Sequence, residues 1–220
     1  MSQVPEAISG LINDLCADDE FRRIQAAFGL GVLGELAVDP LIELLASPEQ
    51  ELRKRAAWVL GVIGAPALPS LLHMVEGDDV AMRIEAIRVL GVVGEARALN
   101  QLLVGLTDRD AHVAARAARA LGKIGDPRAY HPLVTAMRHP EPDVRYEACR
   151  AIIDLHVPDA VMALRDVAEN DTGVTSWGAA VSESALRAIA ELDNSLSSPD
   201  HDAEFSRASE IVQQAENPES

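Results

Sequence analysis

The chain has 220 residues, of which 48% are hydrophobic and only 3% aromatic, and 35 acidic against 19 basic side chains leave a net charge of −16. That balance repels a phosphate backbone and lacks the basic footprint of a nucleic-acid binder, so no nucleic-acid partner is expected. No apolar run approaches the ~18 to 20 residues that span a bilayer, and Met1-Ser2-Gln3-Val4-Pro5-Glu6 is not a basic stretch followed by an apolar one, so a soluble, cytoplasmic protein without membrane contact is expected.

Taken from the N-terminus, Val4 to Leu15 has helical periodicity, with Pro5 near its start and Ile8, Leu11, Ile12 and Leu15 on one side. Asp18 or Asp19 caps a second helix that runs to Leu33 and stops at Gly34. This pair is a template. First helices recur from Pro40 through Leu45, Leu68 through Val75, Leu99 through Leu106, Pro132 through Met137 and Val161 through Val167. A turn rich in Asp, Glu, Gly or Pro follows each, and then a second helix.

The second helices close on a recurring pentapeptide. Leu30-Gly31-Val32-Leu33-Gly34, Leu60-Gly61-Val62-Ile63-Gly64, Leu90-Gly91-Val92-Val93-Gly94 and Leu121-Gly122-Lys123-Ile124-Gly125 are close copies, and Ile152 through His156 and Ile189 through Asp193 are degraded ones. Their first positions, 30, 60, 90, 121, 152 and 189, are separated by 30, 30, 31, 31 and 37 residues. A period in this range signals a solenoid, whose units bury their apolar faces only against neighbours.

Each second helix carries one apolar stripe. In the second repeat it is Leu52, Ala56, Val59, Leu60 and Ile63, at i, i+4, i+7, i+8 and i+11. Small Ala and Gly residues along it allow neighbouring repeats to approach closely, and the closing Gly supplies the positive φ of a helix end. Arg22 and Gly29 interrupt the stripe in the first repeat, as befits a unit with a single neighbour. Cys16 and Cys149 fall in the first and fifth repeats, too far apart in such an array for a disulfide.

These repeats resemble the HEAT-like repeat, and in particular its short variety known from phycobilisome lyases, whose units read roughly acidic-x-x-Val-Arg-x-x-Ala-x-x-Ala-Leu-Gly-x-Ile-Gly. Leu52-Arg53 through Gly64, Met82-Arg83 through Gly94 and Val144-Arg145 through Leu155 follow the pattern, whereas Val113-Ala114 through Gly125 loses the Arg. The resemblance covers roughly residues 5 to 192 and implies an all-α, right-handed α-solenoid of about six helix pairs. The family includes chromophore lyase subunits, factors in light-harvesting complex turnover and general scaffolds. It also implies that the Arg column Arg23, Arg53, Arg83 and Arg145, with the acids Asp19, Glu49, Asp79, Asp110 and Glu141 four residues earlier, forms a hydrogen-bonded ladder between turns, and that the second helices line the concave face.

A further column faces away from the stripe: Phe28, Trp58, Arg88, Arg119, Arg150 and Arg187. The resulting groove is expected to be aromatic at its N-terminal end and cationic through its C-terminal half, with Ile24, Val32, Val62, Ile84 and Val92 near the former and Arg116, Lys123 and Tyr146 further along. Arg presents a planar fork suited to carboxylates, so an acidic or amphipathic segment of another protein, or the propionates of a tetrapyrrole, would suit it. Glu85, Glu147, Asp154 and Glu191 on the same helices are the competing explanation for those arginines. An insertion, Glu169 through Gly178, breaks the period before the last repeat, and its Trp177 is a candidate partner contact.

No catalytic signature stands out. The histidines His73, His112, His131, His139, His156 and His201 are scattered and none precedes Glu, unlike the His-Glu pairs of diiron hydroxylases built on HEAT-like repeats, and no pair of Cys or His has zinc-site spacing. No catalytic or metal-binding residue is therefore assigned. The expected organisation is an array over residues 1–193 and an acidic polar tail over 194–220, with a helix near 203–215 built on Phe205, Ala208, Ile211 and Val212. The expected function is that of a non-catalytic protein-binding scaffold, adaptor or chaperone-like protein without a cofactor. The alternative is a bilin lyase subunit or light-harvesting turnover factor that handles a tetrapyrrole or its acceptor protein.

Overall fold

The computed structural model describes residues 3–155 and 160–196. Within them the chain forms six successive helix pairs: α1 (Gln3–Cys16) and α2 (Glu20–Leu33), α3 (Val38–Leu45) and α4 (Gln50–Ile63), α5 (Leu68–Val75) and α6 (Val80–Val93), α7 (Leu99–Gly105) and α8 (Ala111–Ile124), α9 (Tyr130–Ala136) and α10 (Pro142–Leu155), α11 (Ala160–Asn170) and α12 (Val181–Leu196). The fold is an all-α solenoid. Short 3-10 turns at 34–37, 65–67, 96–98 and 127–129, which the periodicity did not announce, lead into α3, α5, α7 and α9. The even-numbered helices stack on one another in order, and α2, α4, α6, α8 and α10 all have 14 residues. Equal lengths keep equivalent positions of successive repeats side by side.

At the C-terminal end α12 continues four residues past Leu192, so Asn194 and Ser195, expected in a linker, belong to a helix. The rest of the tail, including the helix expected near 203–215, lies outside the described residues, as do His156 and His201.

The predicted stripe forms the core. Ala56, Val59 and Leu60 of α4, Val113, Ala117 and Leu121 of α8 and Val181, Ala185 and Ala188 of α12 are buried. A second row, Ala27, Ala57, Ile87, Ala118 and Cys149, is buried as well, because each second helix packs both on its own first helix and on the next second helix. Close approach between second helices has a definite cause at Gly122: a Cβ there would lie 2.7 Å from the Ala151 Cα, so only glycine lets α8 meet α10 at this distance. The closing glycines Gly94 and Gly125 both have φ of 68°, the left-handed conformation that ends a helix without side-chain strain.

The arginine column ties the turns together, though not through the acids expected. Nη1 of Arg53, Arg83 and Arg145 donates to the two carbonyls five and six residues earlier, at 2.8 and 3.0 Å for Ser47 and Pro48, 3.0 and 2.9 Å for Gly77 and Asp78, and 2.8 Å to each of His139 and Pro140. Arg23 wraps its own turn in the same way, through the Ala17 and Asp18 carbonyls. The remaining nitrogens cross to the next repeat: Arg83 pairs with Asp108 at 3.0 and 3.1 Å, and Arg145 with Asp171 at 2.6 and 2.9 Å. Asp19, Asp79 and Asp110 instead accept from amides of the first turn of their own helices, which is why they recur at that position. Where Ala114 replaces the arginine, the following turn carries His139 in place of the acid, so both halves of the pair are absent together.

The insertion folds back on α10. Asp143, buried at the helix start, accepts from the Ser176 amide and hydroxyl at 2.7 Å each, and Thr175 and Ala179 close the loop on each other at 2.8 Å. Trp177 thereby stands edge-on to Tyr146, ring centroids 5.5 Å apart, and remains 55% exposed. Arg145 holds the Asp171 carboxyl below its usual range, with help from the Gly173 amide and against burial.

Arg83 is only 4% exposed, so Arg83→Ala leaves Asp108 and two carbonyls without their partner in a dry seam. The expected loss is about 3–5 kcal/mol in urea unfolding followed by circular dichroism, whereas Arg128→Ala, whose pair with Asp126 is exposed, leaves the transition in place. Because the Asp171 pKa is lowered in the folded chain, its contribution is complete above the ordinary carboxylate pKa of about 3.9 and is lost as pH falls through the folded value. In a Trp58→Phe background, Trp177 emission is expected to shift to the red below about pH 4, and Asp171→Asn to show that shift already at neutral pH.

Candidate functional site

The face opposite the stripe is built from α2, α4, α6, α8, α10 and α12. At its N-terminal end Phe28 and Trp58 are 66% and 53% exposed, and Ile24, Val32, Val62 and Val92 are exposed around them. Six large apolar side chains on adjacent second helices form an apolar strip whose one polar group is the Trp58 indole N–H, rather than the scattered single exposures usual for a soluble surface.

The four arginines of the column continue this line, but in different states. Arg88 is engaged: Nε donates to Glu85 at 2.7 Å, and Nη2 donates to Glu85 at 2.5 Å and to the Arg53 carbonyl at 3.3 Å. Glu85 also accepts from Arg53 at 3.3 Å, so one carboxylate serves two guanidiniums. Arg119 has a longer bond to Glu147, 3.4 Å. Among the described residues Arg150 and Arg187 make no ion pair, and neither does Arg116.

Two adjoining hollows bring these side chains together. One, of about 260 Å³, is lined by Arg88, Val92, Arg116, Arg119 and Lys123. The next, of about 210 Å³, is lined by Arg119, Lys123, Glu147, Arg150, Asp154, Arg187 and Glu191. Lys123 and Arg119 border both, so the two form one continuous cationic channel. The Lys123 ammonium is held below the usual lysine range, first by partial burial and then by the guanidiniums of Arg119 and Arg88, with Asp154 pulling the other way. Six cations, Arg88, Arg116, Arg119, Lys123, Arg150 and Arg187, thus line the two hollows against the carboxylates of Glu147, Asp154 and Glu191, so positive charge is in excess there and adds to the effect of burial on Lys123.

Trp177 borders a third hollow of about 350 Å³ with Ile84, His112, Ala115, Arg116, Asp143 and Glu147, at the N-terminal ends of α6, α8 and α10. It is thus placed along the edge of the groove rather than in line with the arginine column. Glu147 is 7% exposed and stands between this hollow and the cationic one. Of the residues lining this hollow, sequence spacing did not single out His112, Ala115 or Asp143 for the groove, and no signal in the repeat pattern distinguishes them. A further hollow, about 460 Å³ between α9, α10 and α11, holds Arg145, Asp171, Asp166 and Asn170, which are already bonded in pairs, Arg145 to Asp171 and Asn170 to Asp166. These four polar side chains are therefore committed to one another.

Neither thiol is set up for attack. Burial pushes Cys149 up to about 12, and burial likewise raises Cys16. Among the described residues no group of three or more His, Cys, Asp or Glu is placed to hold a metal ion, and no single helix is long and apolar enough to cross a membrane.

Comparison with known proteins agrees with this architecture. Search of the curated proteins finds no match. Among solved structures, a chain of the complex of CpcE and CpcF of phycocyanin lyase from Nostoc sp. PCC7120 is 24% identical with a TM-score of 0.61, over 69% of this chain and 97% of that one. A designed armadillo repeat protein in complex with the peptide (KR)4 is 20% identical with a TM-score of 0.51, over 87% of this chain and 100% of that one. At these identities the likeness is one of fold. The family profile of HEAT repeats matches residues 4–83 and 68–140, more than half of the sequence. This chain therefore belongs to the HEAT-repeat proteins, and its fold is that of the phycocyanin lyase type of array.

Proposed function

We propose that the protein is a non-catalytic binding scaffold whose second-helix groove takes an acidic, amphipathic segment of a partner protein. The observation that carries this reading is the excess of cations over carboxylates along the two hollows, where Arg116, Arg150 and Arg187 have no ion pair among the described residues although Glu147, Asp154 and Glu191 lie in the same lining. Guanidinium forks match carboxylates in pairs, so a segment bearing several Asp or Glu residues fits this half of the groove. Apolar side chains on the same segment would settle against Phe28 and Trp58, large exposed aromatics of the kind that anchor interfaces. A designed armadillo array illustrates a repeat surface in complex with a basic peptide, and the sign of charge here asks for the opposite.

The second reading is a bilin lyase subunit or a light-harvesting turnover factor, supported by the likeness of fold to the phycocyanin lyase chain. Tetrapyrrole propionates would pair with Arg119, Arg150 and Arg187 as peptide carboxylates would. Against a step through a protein thiol stands the raised Cys149.

A tagged full chain and its Arg119→Ala, Arg150→Ala, Arg187→Ala triple variant should be compared for what they capture from native lysate, by mass spectrometry and visible absorption. Arg150 and Arg187 are exposed, whereas Arg119 is half-buried against Glu147, so circular dichroism of the triple variant is compared with that of an Arg150→Ala, Arg187→Ala variant, which leaves that pair intact. The expected result is one dominant protein held by the wild type and lost by the variant. Losing several guanidinium anchors at about 2 kcal/mol or more each places the variant beyond retention. A coloured eluate with a bilin spectrum selects the second reading, and equal capture by both chains removes the groove from consideration.

A further inference from the structure

We propose that, in the absence of a partner, the chain's own acidic C-terminal stretch, residues 197–220, occupies the cationic half of the groove between α8 and α12. This rests on the reading of the groove as an acceptor of acidic segments and adds the occupant that a partner must displace.

Three observations converge on that stretch. Its carboxylates, Asp200, Asp202, Glu204, Glu210, Glu216 and Glu219, stand against the single Arg207, six against one, or a net −5 before any terminal charge. The groove has the complementary sign, since six cations line its two hollows against Glu147, Asp154 and Glu191, and Arg116, Arg150 and Arg187 are free of ion pairs among the described residues. The stretch also starts in the right place, since α12 ends at Leu196 and its Arg187 and Glu191 line the hollow shared with Arg119 and Arg150.

Reach is sufficient. Packed helices lie about 8–10 Å apart and Leu196 stands roughly 13.5 Å along the axis past the level of Arg187, so the path from Leu196 to Arg119 on α8 is ~21–24 Å. Eight residues of extended chain, from Leu196 to Glu204, cover about 26 Å. Asp200, Asp202 and Glu204 are therefore within range of Arg150, Lys123 and Arg119. Tethering places such a segment at an effective concentration on the order of millimolar, so individually weak carboxylate–guanidinium contacts are enough to keep it there. An incoming acidic segment then binds only to the fraction of molecules whose groove is vacant.

The chain offers a direct probe, because Lys54 and Lys123 are its only lysines and Lys123 borders both cationic hollows. Zero-length carbodiimide coupling of the dilute 220-residue chain, read by mass spectrometry on links within one chain, is expected to join Lys123 to Asp200, Asp202 or Glu204. The link should disappear at about 1 M salt, where the Debye length falls to about 3 Å, and in the Arg150→Ala, Arg187→Ala variant. A fluorescent octaglutamate peptide provides the second arm, titrated onto the wild type and onto a full chain carrying Asp200→Asn, Asp202→Asn, Glu204→Gln and Glu210→Gln. If the stretch fills nine grooves in ten, the peptide binds the variant about tenfold more tightly. Equal binding to both chains without a Lys123 link overturns the tail proposal and leaves the groove reading standing, as does coupling of the tail to Lys54 as often as to Lys123. Peptide binding to neither chain overturns both.

Discussion

The contact on which the rest depends is the close packing of each second helix against the next. At Gly122 the α8 backbone meets Ala151 so tightly that a Cβ would fall 2.7 Å from the Ala151 Cα, and at Gly61 the same substitution would meet Val92 at 2.7 Å. Small residues at these points let helices of equal length stack with their equivalent positions aligned. Without that alignment Arg119, Arg150 and Arg187 would be three unrelated surface charges. With it they border a single hollow of about 210 Å³. The energetics of the seam and the chemistry of the groove are thus two faces of the same helices, one apolar and one cationic.

Arginine does two different jobs in this array, and burial separates them. Arg83 and Arg145 lie in the seam, each chelating two turn carbonyls and an aspartate of the following repeat, so their charge is used up in holding repeats together. Arg150 and Arg187 lie on the groove and have no such commitments among the described residues. Arg88 is intermediate: it shares the column, yet Glu85, one helical turn earlier, holds it at 2.7 Å. The cationic half of the groove consequently begins at Arg116 and Arg119 rather than at Arg88.

The helix pairs and their stripes were legible in the sequence because a 30- to 31-residue period repeats the same constraint several times over. The outward column was legible for the same reason, as a projection of that period. What lay hidden depends on contacts between positions that the period does not relate. Asp108 and Asp171 pair with Arg83 and Arg145 although their own repeats place them in turns where other repeats carry Gly, Ser or His. The insertion's path is likewise set by Asp143 binding Ser176, and no spacing rule announces that bond. Trp177 stood out as a candidate partner contact because its loop breaks the period, but its edge-on seat against Tyr146 required the fold. The competition between Glu85 and the groove for Arg88 was visible as an i, i+3 spacing, and only geometry decided it.

The central claim is that positive charge in the groove is not cancelled from within, and the proton on Lys123 measures it. With Lys54→Arg in place Lys123 is the chain's only lysine, and its side-chain carbon shifts can be followed through a pH titration by NMR. The account predicts a pKa below the ordinary value of about 10.4, and a rise toward it when Arg119 and Arg116 are changed to Ala, since those guanidiniums contribute to the shift. Titration at the ordinary value, or a depression undiminished by removal of both arginines and so due to burial alone, would contradict the account.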